Sequence, residues 1–146
     1  MLTTISEKAQ FHNIFLAFLE EQYTLCVTTD ILLEYEEVIE RHLGKETAYN
    51  IMQLLENAPN IILVTRYYAW NLITKDPDDN KFVDCAITAK ARYIVTEDKH
   101  FKILKDIPFP IVDCLKAVEF AVILDKMKKL DYNKKTIDKK RKTKKN

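Results

Sequence analysis

Four short runs rich in β-formers set the frame of this chain: residues 24–28, 61–64, 93–96 and a last one near Ile111. Between them the apolar residues change to helical spacing. Phe11, Ile14, Phe15, Phe18 and Leu19 predict an amphipathic helix over residues 6–22, with Ser6 as its N-cap. Thr29 or Asp30 is placed to cap a second helix, which carries Ile31, Leu32, Tyr35, Val38 and Ile39 on one face and ends at Gly44. A third helix over residues 45–57 buries Ile51, Met52 and Leu55 before Pro59 breaks it. After an irregular stretch containing Tyr67, Tyr68, Trp70 and Leu72, a helix is predicted over residues 79–90 and a helical turn over 100–104. Pro108 and Pro110 frame the last strand, and Asp113 reads as the N-cap of a terminal helix through Leu124. Helices that alternate with short buried strands predict the α/β class and a parallel sheet.

The chain has 146 residues, of which 47% are hydrophobic, enough for one domain with a core. No apolar run is long enough to span a bilayer, and the start lacks the basic-then-apolar pattern of a secretory signal, so a cytoplasmic protein without membrane contact is expected. Cys26, Cys85 and Cys114 sit among apolar neighbours without CxxC spacing, as buried reduced thiols do. Gly44 is the only glycine, which excludes glycine-rich phosphate and dinucleotide loops. The net charge of +1 hides an asymmetry: residues 126–146 carry eleven Lys or Arg against Asp131 and Asp138, leaving −8 on the first 125 residues. An acidic domain over residues 1–125 is therefore followed by a Lys-rich segment, 126–146, of disordered or frayed helical character. Such a segment either attracts nucleic-acid phosphate or serves only as a solubilising end.

Asp76-Pro-Asp-Asp-Asn-Lys-Phe-Val-Asp84 opens one predicted helix, and Tyr93-Ile-Val-Thr-Glu-Asp98 runs past the end of a predicted strand. In a parallel α/β sheet, helix starts and strand ends share the edge where ligands bind. Carboxylates that converge there without histidine or thiolate suit Mg²⁺ or Mn²⁺, and with it phosphodiester chemistry. Asp79 precedes Phe82, Val83 and Ala86 by three, four and seven residues, so it shares the core-facing side of its helix. Asp84 sits well round from that face. Asp98 follows its strand by two residues, and Thr96 at the strand end is placed to bond a carboxylate or a metal-bound water. Asp79 and Asp98 each have a plain reading as helix caps as well. Glu34 and Glu36 flank the apolar stripe of the second helix, whereas Glu37 and Glu40 face away. Asp76, Asp78 and Asn80 imitate an EF-hand opening, but Lys81 and Ile87 stand where that loop needs Gly and Glu. His12, His42 and His100 have no zinc spacing and read as surface or half-buried residues.

Ile31-Leu-Leu-Glu-Tyr-Glu-Glu-Val38, Asp76-Pro-Asp-Asp-Asn-Lys-Phe82 and Val95-Thr-Glu-Asp98 together resemble the PIN domain, in its toxin–antitoxin branch, over residues 5–124. The resemblance implies a three-layer α/β/α sandwich with a parallel sheet and an Mg²⁺- or Mn²⁺-dependent endoribonuclease. It further implies an RNA substrate, a cognate antitoxin and a homodimer. Glu34 matches the family's helix carboxylate and Asp98 the acid of its TxD motif. The remaining acid falls on Asp79 or Asp84, and the family's longer interval to the TxD aspartate favours Asp79. Thr96 and Asn80 are the adjacent cofactor-binding candidates. The family opens with a central strand ending in Asp-Thr-Asn, whereas this chain opens at Met1-Leu-Thr-Thr-Ile-Ser6, which resembles the residues just after that motif. A chain without that first strand is expected to bind metal poorly and to have a gap or a strained closure between the strands around Cys26 and Ile94. The alternative function is an inactive remnant that binds RNA or a protein. A third and weaker reading is a purely interactive module that pairs with an antitoxin through Tyr67, Tyr68 and Trp70, aromatics that otherwise read as core.

Overall fold

In the computed structural model, which describes residues 2–143 with side chains from residue 11 onward, the chain divides into two units. One holds residues 23–116. The other joins the two ends of the chain.

In the first unit, β1 (Leu25–Val27) leads into α2 (Thr29–Leu43), α3 (Lys45–Asn57) and β2 (Ile61–Leu63). The α2 cap is Thr28, one residue before Thr29 and two before Asp30, the expected caps. Its hydroxyl accepts the Ile31 N–H at 3.4 Å and donates to the Asp30 carboxylate. That bond from Thr28 holds the Asp30 carboxyl below the usual carboxylate range. Gly44, at φ +88°, ends α2 with its N–H on the Glu40 carbonyl and starts α3 directly, a backbone conformation that side chains resist. Ala48, Met52 and Leu55 are the buried residues of α3, with Ile51 half-buried.

The chain then runs through a 3₁₀ turn, Pro77–Asp79, into α4 (Asn80–Ala89), β3 (Ile94–Val95), a second 3₁₀ stretch, Lys99–Asp106, and β4 (Cys114–Leu115). β1 pairs in parallel with β2, Cys26 opposite Ile62, and β3 pairs in parallel with β4, Ile94 opposite Cys114. The α/β class is therefore as the alternation predicts. The described strands form two separate parallel pairs, and the interruption falls where a gap is expected, between the strand of Cys26 and that of Ile94. Helix α4 packs on both pairs. Val83 joins Ile73, Phe101 and Leu104 in one core, Cys85 joins Val27 and Ile31 in the other, and Phe82 packs against both. Asp113 precedes β4 instead of capping the terminal helix, and its carbonyl accepts the Ile94 N–H at 2.8 Å. The three thiols are free, and burial pushes Cys85 up to about 11.

The second unit pairs α1 (Leu2–Leu19) with α5 (Ala117–Thr143). Ser6 falls inside α1 and does not mark its start. Of the five apolar residues expected to share a buried face, Phe18 alone is buried, beside Ala17, while Phe11, Phe15 and Leu19 are 55%, 38% and 45% exposed. Two helices packed on each other cover only a narrow stripe apiece, and Ala17 and Phe18 take it here. α5 stays helical far past Leu124, through residues expected to fray, and from Asp125 to Thr143 nearly all of it is exposed. Residues 144–146 of the Lys-rich segment lie outside the described residues. No helix among the described residues is long and apolar enough to cross a membrane.

Candidate functional site

The acidic segment takes its shape from one buried amide. Asn80 accepts the Ile73 N–H at 2.9 Å and donates to the Ile73 carbonyl at 2.8 Å and the Pro77 carbonyl at 3.1 Å. These bonds fold residues 73–80 back on the start of α4. Asp76 caps the 3₁₀ turn by accepting the Asp78 N–H at 3.2 Å. Asp79, the next residue but two, is left at the junction with α4 with no capping bond of its own. Its carboxylate instead faces the turn after β3.

That turn is also side-chain built. The Thr96 hydroxyl accepts the Asp98 N–H at 3.0 Å, and Asp98 in turn caps the second 3₁₀ stretch by accepting the His100 N–H at 2.9 Å. The imidazole is thereby turned between two carboxylates. His100 Nδ1 lies 3.1 Å from Asp79 Oδ2 and 3.4 Å from Asp98 Oδ1. Asp76, Asp79 and His100 each bring a ligand atom within 4.8 Å of the others. Burial pushes the Asp79 carboxyl above its usual range, the bond to His100 opposes this, and the charges of Asp98 and Asp76 push it further up. Two or three carboxylates crowded with one imidazole, one of them held reluctant to ionise, form a donor set that a divalent cation would satisfy.

Asp79 and Asp98, expected together from the sequence, are thus brought to one nitrogen. Glu34 is not part of that group. It extends from α2 to Lys81, whose ammonium also binds Asp78 at 2.9 Å and lies 5.7 Å from the centre of the Phe82 ring. Burial lowers the Lys81 pKa, but the bonds to Glu34 and Asp78 outweigh it and the net shift is upward. Asp84 is 1% exposed and turned elsewhere: its oxygens accept the Trp70 N–H at 3.1 Å and the Arg66 guanidinium at 3.2 Å. Asn80 holds main chain with its amide, and Thr96 shapes the Asp98 turn. His100 was missed by sequence reasoning because it has no ligand spacing of its own. The available signal was its place two residues after a capping aspartate, where the cap fixes the direction of the backbone.

Parallel strand ends and a helix start thus bring together a group of acids and one imidazole that could hold a metal ion. A family model of the PIN domain matches residues 3–100, and the chain belongs to the PIN-domain family. No curated protein and no solved structure matches the chain. PIN domains are nuclease-type domains that generally bind a divalent metal, and the Asp76, Asp79 and His100 group fits that requirement in its chemistry.

Proposed function

We propose that this PIN domain is an endoribonuclease, the toxin of a toxin–antitoxin pair, with Mg²⁺ or Mn²⁺ held at Asp79, Asp98 and Asp76. The observation that supports this best is the convergence of Asp79 and Asp98, from two separate elements, on His100 Nδ1. A divalent cation held by these acids would supply an activated water and positive charge against the scissile phosphate. The protein's own part is to fix the acids. Thr96 sets the turn that presents Asp98, Asn80 sets the turn that presents Asp79, and the His100 imidazole lies between the two carboxylates. Glu34, paired with Lys81, is held apart from this group.

The outer edges of β1 and β3 also support a further strand in the reading. Leu25 and Val27 bond toward β2, and Ile94 and Thr96 toward β4, so the alternation of a parallel ladder aims the Cys26 and Val95 backbone groups away from their partners. A strand ending in Asp-Thr-Asn, inserted between those edges, joins the two pairs into one sheet and adds an aspartate to the group. The test is RNA cleavage with Mn²⁺ by the protein carrying such a strand ahead of Met1, compared with its Asp98→Asn variant. Loss of cleavage in the variant is expected. Undiminished cleavage removes Asp98 from the site.

A further inference from the structure

We infer that the C-terminal two thirds of α5 is an arm that binds the RNA sugar–phosphate backbone without regard to sequence. The inference rests on the ribonuclease reading only for the identity of the polyanion. Residues 126–143 make roughly 27 Å of helix, and they carry nine Lys or Arg against Asp131 and Asp138. Apart from Thr136, which is half-buried, every one of these residues is exposed. Among the described residues, Lys128, bound to Glu20 at 3.3 Å, is the one basic residue of this stretch with an ion pair.

The few acids are spaced to support the helix and leave it strongly basic. Asp125, Asp131 and Asp138 each stand four residues before a lysine (Lys129, Lys135 and Lys142), the favourable orientation for helix pairs. Lys126, Lys134, Lys139, Lys140 and Arg141 are left over. Like charges gathered on a solvated rod are relieved by a polyanion, whose counterions are released when the two meet.

Other anionic partners fit less well. Met127, Leu130 and Ile137 form an apolar stripe, 46%, 60% and 51% exposed. Lys134 and Arg141 interrupt the same stripe at heptad spacing, so a lipid surface or a coiled-coil partner would have to bury cations within it. Binding to phosphate needs no apolar face, and cations distributed around the rod suit it.

The experiment measures binding of labelled oligouridine to the whole chain by fluorescence anisotropy, in EDTA so that no cleavage occurs, over a series of salt concentrations. The variant changes Lys134, Lys135, Lys139, Lys140, Arg141 and Lys142 together to Gln, with helix content followed by circular dichroism. Expected is an affinity at least about tenfold weaker at low salt, and a salt slope shallower by about 0.7 for each phosphate that is no longer neutralised. A variant with arginine at all six positions keeps both the affinity and the slope of the parent. Unchanged affinity and slope in the Gln variant overturn the arm, as does sedimentation with phosphatidylglycerol vesicles that depends on these residues while RNA affinity does not. The nuclease reading fails separately, because it is tested by cleavage with Mn²⁺, whereas this binding is read in EDTA, where no cleavage occurs.

Discussion

Helix α4 begins between two kinds of carboxylate environment, and they differ in what neutralises the acids. On one side are permanent cations: Lys81 lies against Glu34 and Asp78, and Arg66 against Asp84. On the other, Asp79 and Asp98 have only the His100 imidazole between them, with Asp76 alongside. A fixed ammonium or guanidinium competes with any metal ion for the same oxygens. An imidazole gives up its charge with its proton and keeps a lone pair as a ligand. The difference separates acids that hold the fold from acids free to take a cation, although all of them but Glu34 lie within residues 76–98.

The largest effect that can break this division is at Asp84. Asp84→Ala leaves the Trp70 N–H and the partly solvated Arg66 without their buried partner, and a loss of about 2–3 kcal/mol is expected by urea unfolding. Metal binding by the surviving folded fraction is unaffected. If Asp84→Ala folds normally and loses Mn²⁺ affinity, Asp84 belongs to the metal group and the division is wrong. Next comes Lys81→Met, which keeps the apolar stem against Phe82 but removes the charge shared by Glu34 and Asp78. Because those carboxylates are 34% and 77% exposed, water replaces part of the pair, and the expected cost is about 1–2 kcal/mol. In that variant Glu34 is freed, so Mn²⁺ affinity measured by calorimetry rises. A fall in affinity shows that Lys81 positions the acids for the metal.

How much of this was legible in the sequence follows the range of the forces involved. The third helix was readable to the residue because Gly44 and Pro59 bracket it, and those constraints act locally. The pairing of Asp79 with Asp98 was readable too, since helix starts and strand ends meet wherever parallel strands lie side by side. His100 was not, because its role depends on a through-space approach set by the Asp98 cap. Nor was the fate of Glu34, whose environment is decided by a lysine on a different helix. Asp84 shows a third limit. Its sequence neighbours mark it only as an acid on a helix, and the groups that bury it come from residues 66 and 70 on a stretch without regular structure. The face of α1 was misjudged because periodicity shows that a stripe exists but not how wide a stripe the partner helix can cover.

The smallest effect is the one that tests the histidine-centred group itself. The Asp79 carboxyl is pushed above its usual range, by burial first and by its acidic neighbours next. A carboxyl whose folded pKa exceeds its unfolded one binds its proton more tightly in the folded state. Its ionisation therefore weakens the fold as pH rises through that window, and the penalty is fully present at neutral pH and absent below about pH 4. Asp79→Asn removes the penalty, so the variant is expected to melt slightly higher than the parent at pH 7 in EDTA, with the difference shrinking to nothing as the pH is lowered. Mn²⁺ reverses the order, since a ligand that binds only the folded state raises the parent's melting temperature and has lost a donor in the variant. A parent that melts higher than the variant already in EDTA at pH 7 points the other way. It shows that His100 stabilises the ionised Asp79 by more than burial and repulsion disfavour it, and the group is then a closed ion pair like the one at Lys81.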